Sequence, residues 1–361
     1  MIYVNGRFLL QSLTGVNRFA YELCMAWVHL DIPFTLCCPP GEIKSCYDVS
    51  RFKIIICGWG KSHIWEQLAL PVWFARIKGE KVLVNFTGLG PLLTSKKIMT
   101  IHDLAFMVNP AWYSKSYVCL YKLLTPLCAS TSMRLLTVSE FSKNEIIKRL
   151  AVKEEKISVI YNAVSPLFQL CVNAATSEGK YILAVSSIDP RKNFAILLKA
   201  LEYIKDKNIK LKVVGGQDMI YSTSIKELSK DTCADKVEWL GRISDGELKT
   251  LYANALCFVY PSLYEGFGIP PLEAMSCGTP TIVSDIPPLR EVCQDASLYI
   301  NPYDAEDIAN KINILAFDEG LRKDLMAKGY RRCSFFDWEK SAKKLAGVVY
   351  GCLKKNNGKR A

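Results

Sequence analysis

Leu256-Cys-Phe-Val-Tyr260-Pro-Ser-Leu-Tyr264-Glu265-Gly266-Phe267-Gly268-Ile269-Pro-Pro271-Leu-Glu273-Ala-Met-Ser-Cys-Gly278-Thr-Pro280 runs from an apolar pentad through a glycine loop into a helical start. The pentad reads as a buried strand. Gly266 and Gly268 permit positive φ and a close backbone approach. Pro271 suits the first turn of a helix, whose unpaired N–H groups point at whatever sits above them. A helix start behind glycines is an anion site, suited to a diphosphate. Glu265 falls on the loop, and Glu273, eight positions on, in the first helical turn. A carboxylate beside a diphosphate is useful as an acceptor for sugar or ribose hydroxyls. The competing reading is structural: Glu273 favours the helix N-terminus and Glu265 is solvated.

A second segment points the same way. Tyr181-Ile-Leu-Ala-Val185-Ser-Ser187-Ile-Asp-Pro190-Arg191-Lys192-Asn193 is strand, loop, then two cations opening a helical pattern. Cations at a helix start are disfavoured unless an anion compensates them. Arg191 and Lys192 there can neutralise a leaving diphosphate without metal.

Outward from these segments, short β-branched runs alternate with amphipathic stretches. Strands are expected at 33–37, 52–57, 81–86, 97–101 and 134–138. A second series follows at 181–185, 211–214, 237–240, 256–260, 280–283 and 298–300. Helical patterns cover 16–29, 140–149, 194–205, 245–254, 304–316 and 338–353. That rhythm means βαβ units and parallel sheets covered on both faces. The run Ile157-Ser-Val-Ile-Tyr161 reads as the exit from one sheet, and the boundary is placed near residue 165. Two Rossmann-like α/β domains facing across a cleft are expected, over 1–165 and 166–339, with ligands at the carboxyl ends of strands.

The composition agrees. The chain has 361 residues, 50% hydrophobic and 22% charged, which excludes disorder and coiled coil. Met1-Ile-Tyr-Val-Asn5 lacks the regions of a signal peptide, and no apolar run reaches the ~18 residues of a membrane span. Fourteen cysteines occur without a C-x-x-C pair, and with three histidines they make no zinc spacing. They read as small core residues in a reducing compartment. Gly60-Lys61-Ser62 lacks the upstream glycine of a P-loop, since Ile55 stands there. Gly88-Leu-Gly90 has Leu93 where a dinucleotide fingerprint needs glycine. No D-x-D pair offers ligands to a diphosphate-bound metal, so no metal or cofactor is expected.

The net charge of +11 is unevenly spread. Residues 1–165 hold 19 Lys+Arg against 11 Asp+Glu, residues 166–339 hold 20 against 24, and 340–361 hold 7 basic residues and no acid. An anionic partner on the side of the first half and tail follows. No nucleic-acid motif occurs, which favours an anionic membrane surface over nucleic acid.

Together these segments make the chain resemble the retaining GT-B glycosyltransferases of family four, over almost its whole length. Glu265 and Glu273 are similar to that family's E-x7-E pair, and Pro190-Arg-Lys-Asn193 to its phosphate-binding turn. Gly15-Val-Asn-Arg18 resembles its N-terminal glycine loop, Thr100-Ile-His102-Asp103 its acceptor-side histidine segment, and Val237-Glu-Trp-Leu-Gly241-Arg242 its base-binding turn. The resemblance implies a GT-B fold whose closing helix returns to the first domain, bringing the basic tail beside the basic half. It implies that Lys192, with Arg191, binds and stabilises the donor diphosphate as leaving group, and that Glu265 contacts the transferred sugar. Backbone amides of Phe267, Gly268 and Ile269 would hold phosphate, Glu273 the ribose hydroxyls, and Arg242 would lie at the base pocket. Gly15 would let the first-domain loop close on the diphosphate, while His102 faces sugar and acceptor. Many relatives have a glycine and then an arginine or threonine where Ser186-Ser187 stand, and a second glycine where Val16 stands. Ser187 is accordingly counted with the donor-binding residues, and Arg191 ranks below Lys192.

Val4-Asn-Gly-Arg-Phe8 and Trp65-Glu-Gln67 are most similar to bacterial mannosyltransferase-like enzymes of O-antigen or other surface polysaccharide. The expected donor is then GDP-mannose, and the acceptor a saccharide, carried on undecaprenyl diphosphate at the inner face of the cell membrane. Two alternatives stay open: a GT-B sugar-nucleotide epimerase or hydrolase, and a non-catalytic protein binding anionic membranes. The stretches His63-Ile-Trp65 to Val72-Trp73-Phe74-Ala-Arg76-Ile-Lys78 and Trp112-Tyr113-Ser-Lys115-Ser-Tyr117 suit a cytoplasmic, peripheral docking face. Ile64, Leu68 and Val72 fit equally well as a buried helical stripe.

Overall fold

The apolar runs form two parallel sheets in the computed structural model, which describes residues 1–168, 181–186, 189–216 and 234–355. Residues 1–162 and the segment from Asp337 onward make one compact unit, and Ala163–Phe336 make the other.

The first unit holds β1 (Ile2–Asn5), β2 (Thr35–Cys38), β3 (Ile54–Ile56), β4 (Val82–Asn85), β5 (Lys97–Thr100), β6 (Arg134–Thr137) and β7 (Ile157–Val159), ordered β3-β2-β1-β4-β5-β6-β7. The second holds β8 (Tyr181–Val185), β9 (Lys210–Val214), β10 (Val237–Gly241), β11 (Cys257–Tyr260), β12 (Thr281–Ser284) and β13 (Ser297–Ile300), ordered β10-β9-β8-β11-β12-β13. β1, β4, β11 and β12 are buried at every residue, as strands covered on both faces must be. β1 is the strand that the sequence reading missed. It lies inside its sheet, pairing Tyr3 with Thr35 on one side and with Leu83 on the other.

Helices flank both sheets: α1 (Gly15–His29), α2 (Leu70–Arg76), α3 (Lys115–Thr131), α4 (Glu140–Leu150), α5 (Phe194–Ala200), α6 (Asp245–Asn254), α7 (Ile269–Ser276), α8 (Pro287–Cys293), α9 (Ala305–Phe317), α10 (Glu319–Cys333) and α11 (Trp338–Lys355). α5 stops five residues before the expected end. Its apolar pattern continues through Leu201 and Ile204, but in tight turns where Leu201, Glu202 and Tyr203 N–H groups bond three residues back. α6 opens with a capping box between Ser244 and Glu247.

The closing helix packs within the first unit. Phe19, Leu23 and Trp27 recur every four residues down α1 and are fully buried, facing α11. Trp27 Nε1 donates to Ala342 O at 3.1 Å, and Ser341 Oγ to Tyr161 O at 2.9 Å. The cysteines of the described residues are free thiols, most of them buried. No helix among the described residues is long and apolar enough to cross a membrane.

Candidate active site

β8 lies between β9 and β11, so the order of the second sheet reverses beside it. Loops leaving the carboxyl ends of two such strands part to form a crevice, the usual ligand site of open parallel sheets. The loops that leave β8 and β11 are the two segments singled out from the sequence.

After β8, Asp189 caps a short 3-10 turn over Pro190–Lys192, its Oδ1 accepting from Arg191 N at 3.0 Å. Asn193 then takes a left-handed conformation with φ +58° before α5 begins. Its side-chain amide donates to Pro261 O at 3.2 Å and Pro302 O at 2.7 Å, while Leu263 N donates to Arg191 O at 2.8 Å. These bonds lock the loops after β8, β11 and β13 to one another.

Within that frame Lys192 and Glu265 meet. Lys192 Nζ lies 2.6 Å from Glu265 Oε1 and donates to Tyr260 OH at 2.9 Å, with only 7% and 6% of the two charged residues exposed. An ammonium has three protons, so two are engaged and one remains to donate. Burial pulls the Lys192 ammonium below its ordinary value, and Glu265 resists that pull. Burial would raise Glu265, but Lys192 and then Arg191 outweigh it and hold the carboxyl below its usual range. The pair is ionised. The compensating anion expected for the cationic turn is therefore already present as Glu265, with Asp189 Oδ1 4.0 Å from Arg191 Nε.

Gly268, with φ +90°, precedes α7, and a Cβ there would stand 2.5 Å from Leu289 Cδ2. Gly266 does not use the positive φ that is open to it. α7 opens Ile269-Pro270-Pro271, so only Ile269 among its first three residues has an N–H to offer an anion. Glu273 is the fifth helical residue, not part of the first turn as expected. The dipole reading of this side chain weakens accordingly, because that effect fades after one turn. Its carboxylate is buried and accepts from Tyr252 OH on α6 at 3.3 Å. Phe267 is buried edge-on against Phe336, with centroids 5.3 Å apart. Arg242 is exposed, its guanidinium so near Gly216 that a Cβ there would meet Nε at 2.4 Å. Thus Lys192, Arg191, Glu265, Phe267, Gly268, Ile269, Glu273 and Arg242 all belong to the second unit. Ser187 lies outside the described residues.

Gly15 and His102 belong to the first unit. Gly15 is exposed and is the first residue of α1, behind the Thr14 cap, rather than part of a loop. His102 Nε2 donates to Phe86 O at 2.8 Å, and its ring meets Phe19 edge-on at 5.0 Å. Burial lowers its pKa, so the imidazole is neutral near pH 7 with Nδ1 as an acceptor.

Of the aromatics expected on a docking face, Trp65 and Phe74 are buried among Tyr3, Cys57 and Leu83, while Trp73, Trp112, Tyr113 and Tyr117 are half-buried. Ile64, Leu68 and Val72, which also fitted a buried stripe, are instead 58%, 49% and 50% exposed. Sequence reading missed a polar cluster at the carboxyl ends of β1 and β4, made by Asn5, Arg7, Glu66 and Asn85. Its signals are Gly88-Leu-Gly90 and the family-like stretches Val4–Phe8 and Trp65–Gln67, which carry Asn5, Arg7 and Glu66 but do not reveal that these residues meet.

Among the described residues no three His, Cys, Asp or Glu side chains group as metal ligands. Residues 13–166 match the family described as Glycosyltransferase Family 4, and residues 172–332 that described as Glycosyl transferases group 1. Over 309 residues the chain is 34% identical to the O-antigen chain mannosyltransferase RfbU of Salmonella typhimurium, covering 82% of this chain and 83% of that one. The chain belongs to this glycosyltransferase family. O-antigen chain mannosyltransferase B of Escherichia coli is 30% identical over 264 residues, 69% of this glycosyltransferase and 68% of the relative. Sucrose-phosphate synthase from Thermosynechococcus elongatus superposes with a TM-score of 0.79 at 19% identity, covering 98% of this chain and 99% of that one. Anabaena HepE, solved in complex with UDP and glucose, gives 0.77 at 15% identity over 97% and 99%. The glycosyltransferase has the GT-B fold expected from its sequence.

Proposed function

We propose that this glycosyltransferase moves a mannosyl group, with retention of configuration and without metal, from GDP-mannose to a saccharide acceptor of O-antigen or related surface polysaccharide. The observation that carries the reading is the buried, ionised Lys192–Glu265 pair at the sheet crevice, with one ammonium proton to spare. The names of the two O-antigen relatives support mannose, and the nucleotide complex of HepE supports the donor class. In the reaction the bond from sugar C1 to the diphosphate oxygen breaks, a bond from an acceptor hydroxyl oxygen to C1 forms, and the hydroxyl proton leaves with the diphosphate. Lys192 and Arg191 neutralise charge as it gathers on that diphosphate. The N–H groups of Phe267, Gly268 and Ile269 hold phosphate, Glu265 and Glu273 accept sugar and ribose hydroxyls, and Arg242 borders the base. Gly15 gives the diphosphate a close backbone approach, and His102 Nδ1 accepts from a sugar hydroxyl. Incubation with GDP-, UDP- and dTDP-sugars and a mannoside acceptor, with and without EDTA, tests the reading. Transfer from GDP-mannose to an α-linked product, unchanged by EDTA, is the expected result. Strict dependence on Mg²⁺ or Mn²⁺, or donor turnover to completion without acceptor, would reject it.

The acceptor is carried on a polyprenyl diphosphate, and the first unit docks on the inner, anionic face of the cell membrane. Exposed Ile64, Leu68 and Val72 support this, as do Leu120, Leu123 and Leu127 along α3. The loop between them joins both: Gln67 Nε2 donates to Gly90 O at 2.8 Å, Thr131 Oγ1 lies 3.3 Å from Leu92 O, and Leu93 is 79% exposed. Exposed Lys61, Arg76, Lys78, Lys115 and Lys122 flank these aliphatic residues, and each cation near an anionic surface adds about 1 kcal/mol. The wild type should sediment with phosphatidylglycerol vesicles at low salt, and Leu68→Asp/Leu123→Asp should not. Absence of wild-type sedimentation would overturn the membrane reading.

A further inference from the structure

The first sheet has a reversal of its own. β1 lies between β2 and β4, so a crevice opens where Asn5 ends β1 and Asn85 ends β4. Both side chains are fully buried there. Asn5 Nδ2 donates to Glu66 Oε1 at 2.8 Å and to Asn85 Oδ1 at 2.9 Å, and Asn5 Oδ1 accepts from Arg7 N at 3.1 Å. Arg7 Nη2 stands 3.5 Å from Glu66 Oε2. Glu66 is delivered by a π-helical turn, Trp65–Ala69, pinned by Trp65 Nε1 donating to Cys57 O at 2.7 Å. Such turns are costly to form and gather at functional sites.

The cluster is incompletely satisfied. Arg7 Nε, Glu66 Oε2, Asn85 Nδ2 and Thr87 Oγ1 are buried and have no hydrogen-bond partner among the described residues. Each buried orphan is unfavourable, and native proteins hold only a few per hundred residues, so four around one crevice point to an absent partner. That partner must both donate and accept, because two of the orphans are donors, one is an acceptor and one is a hydroxyl. Arg7 and Glu66 balance in charge, so a phosphate or carboxylate would gain one contact and face repulsion from the other. Gly88, with φ +74°, leans over the pair: a Cβ there would meet Arg7 Nη2 at 2.7 Å. On the open side stand His63, its side chain 43% exposed and its Nδ1 3.6 Å from Glu66 Oε2, and Tyr121, edge-on to His63 at 6.2 Å. Tyr121 in turn stacks on Tyr117 with centroids 4.0 Å apart, giving an aromatic wall of the kind that suits the C–H face of a pyranose.

We propose that Arg7, Glu66 and Asn85, beside His63 and Tyr121, form the subsite for an uncharged sugar residue of the acceptor, read through its hydroxyls. The inference rests on the proposed glycosyl transfer, since it assigns to the first unit the substrate that the donor site does not hold. The test uses methyl α-mannoside as probe and Glu66→Gln, which keeps the shape of the side chain, together with Tyr121→Phe. Saturation-transfer NMR should detect mannoside on the wild type, and Glu66→Gln should weaken binding and raise the acceptor KM by about 10-fold or more, as expected when an ionic hydrogen bond is lost. GDP binding by calorimetry should stay unchanged in the same variant, which also reports that it has folded. A folded Glu66→Gln protein that binds and uses mannoside as the wild type does would overturn the subsite while leaving the transfer reading intact. Mannoside binding that depends on Glu66 without any glycosyl transfer would sustain the subsite and overturn the transfer reading.

Discussion

Lys192→Met isolates the pair at the centre of the proposed donor site. The substitution removes the ammonium 2.6 Å from Glu265 Oε1 and leaves a carboxylate that is only 6% exposed. Stripping one partner from a buried ion pair costs about 3–5 kcal/mol, because the remaining charge is neither solvated nor paired. For a unit of this size each kcal/mol lowers Tm by roughly 2–4 °C, so a fall on the order of 10 °C is expected. Lys192→Met/Glu265→Gln removes both charges and should recover at least half of that loss. Catalysis runs the other way: both proteins should lose about 10²-fold or more in kcat/KM, since neither can neutralise a leaving diphosphate. Calorimetric melting and donor turnover, measured on the same preparations, separate the two effects. The pair also sets a sign in acid. Glu265 sits below its ordinary value in the folded protein, so its stabilisation is full above that ordinary value and disappears as pH falls through the folded one. In Lys192→Met burial is opposed only by Arg191 and Ser262, which draws the carboxyl upward toward its ordinary value, so the loss of stability in acid should shrink. Identical melting of single and double variants would refute the coupling, and wild-type turnover in the double would refute the role of Lys192.

Gly268→Ala places a Cβ 2.5 Å from Leu289 Cδ2 at φ +90°, so it should cost about 1–3 kcal/mol and weaken GDP binding; an unchanged Tm would count against the loop geometry. Glu265→Gln should weaken the whole donor more than free GDP, whereas Glu273→Gln should weaken both by about 1.5–3 kcal/mol; equal losses for Glu265→Gln by calorimetry would reject the division between sugar and ribose. Lys97 is fully buried, donating to Thr94 O at 2.9 Å and Thr131 Oγ1 at 2.6 Å, and burial brings its pKa down to about 8. Its folded value is below its unfolded one, so stability should rise between pH 8 and pH 10.5, by up to about 3 kcal/mol. Lys97→Met should flatten that rise in denaturant melts, and an equal rise in both proteins would refute the assignment.

Elements with one dominant period were legible in the sequence. The β-branched runs at 181–185 and 134–138 became β8 and β6, and the amphipathic stretch at 245–254 became α6. β1 escaped because a four-residue run has no period of its own, and its importance comes from the strands that pair on both sides. α3 escaped because its leucines face outward as well as inward, and α10 because few of its residues are buried. The proposed donor site was readable because each of its two segments gathers prolines and charges within a short stretch after a strand, the second with glycines as well. The Asn5–Glu66–Asn85 cluster was not, since its members lie 61 and 80 positions apart and meet only through strand order. Trp65-Glu-Gln67 carries a family likeness, but nothing local tells that Glu66 is buried while Ile64 and Leu68 are exposed.

The return of α11 to the first unit bears on how the chain is made. Phe19, Leu23 and Trp27 leave the ribosome well before Ala342, Leu345 and Val349, which complete the groove that covers them. Ala163–Phe336 is continuous in sequence and can finish folding as soon as it is synthesised, as units generally do. The first unit is therefore begun before the second and closed after it. Throughout that interval Phe34, Phe86 and His102 can cover one side of Phe19 and Trp27, but the side that meets α11 waits exposed, which makes the nascent first domain, and not the second, the part of this enzyme that depends on protection from aggregation.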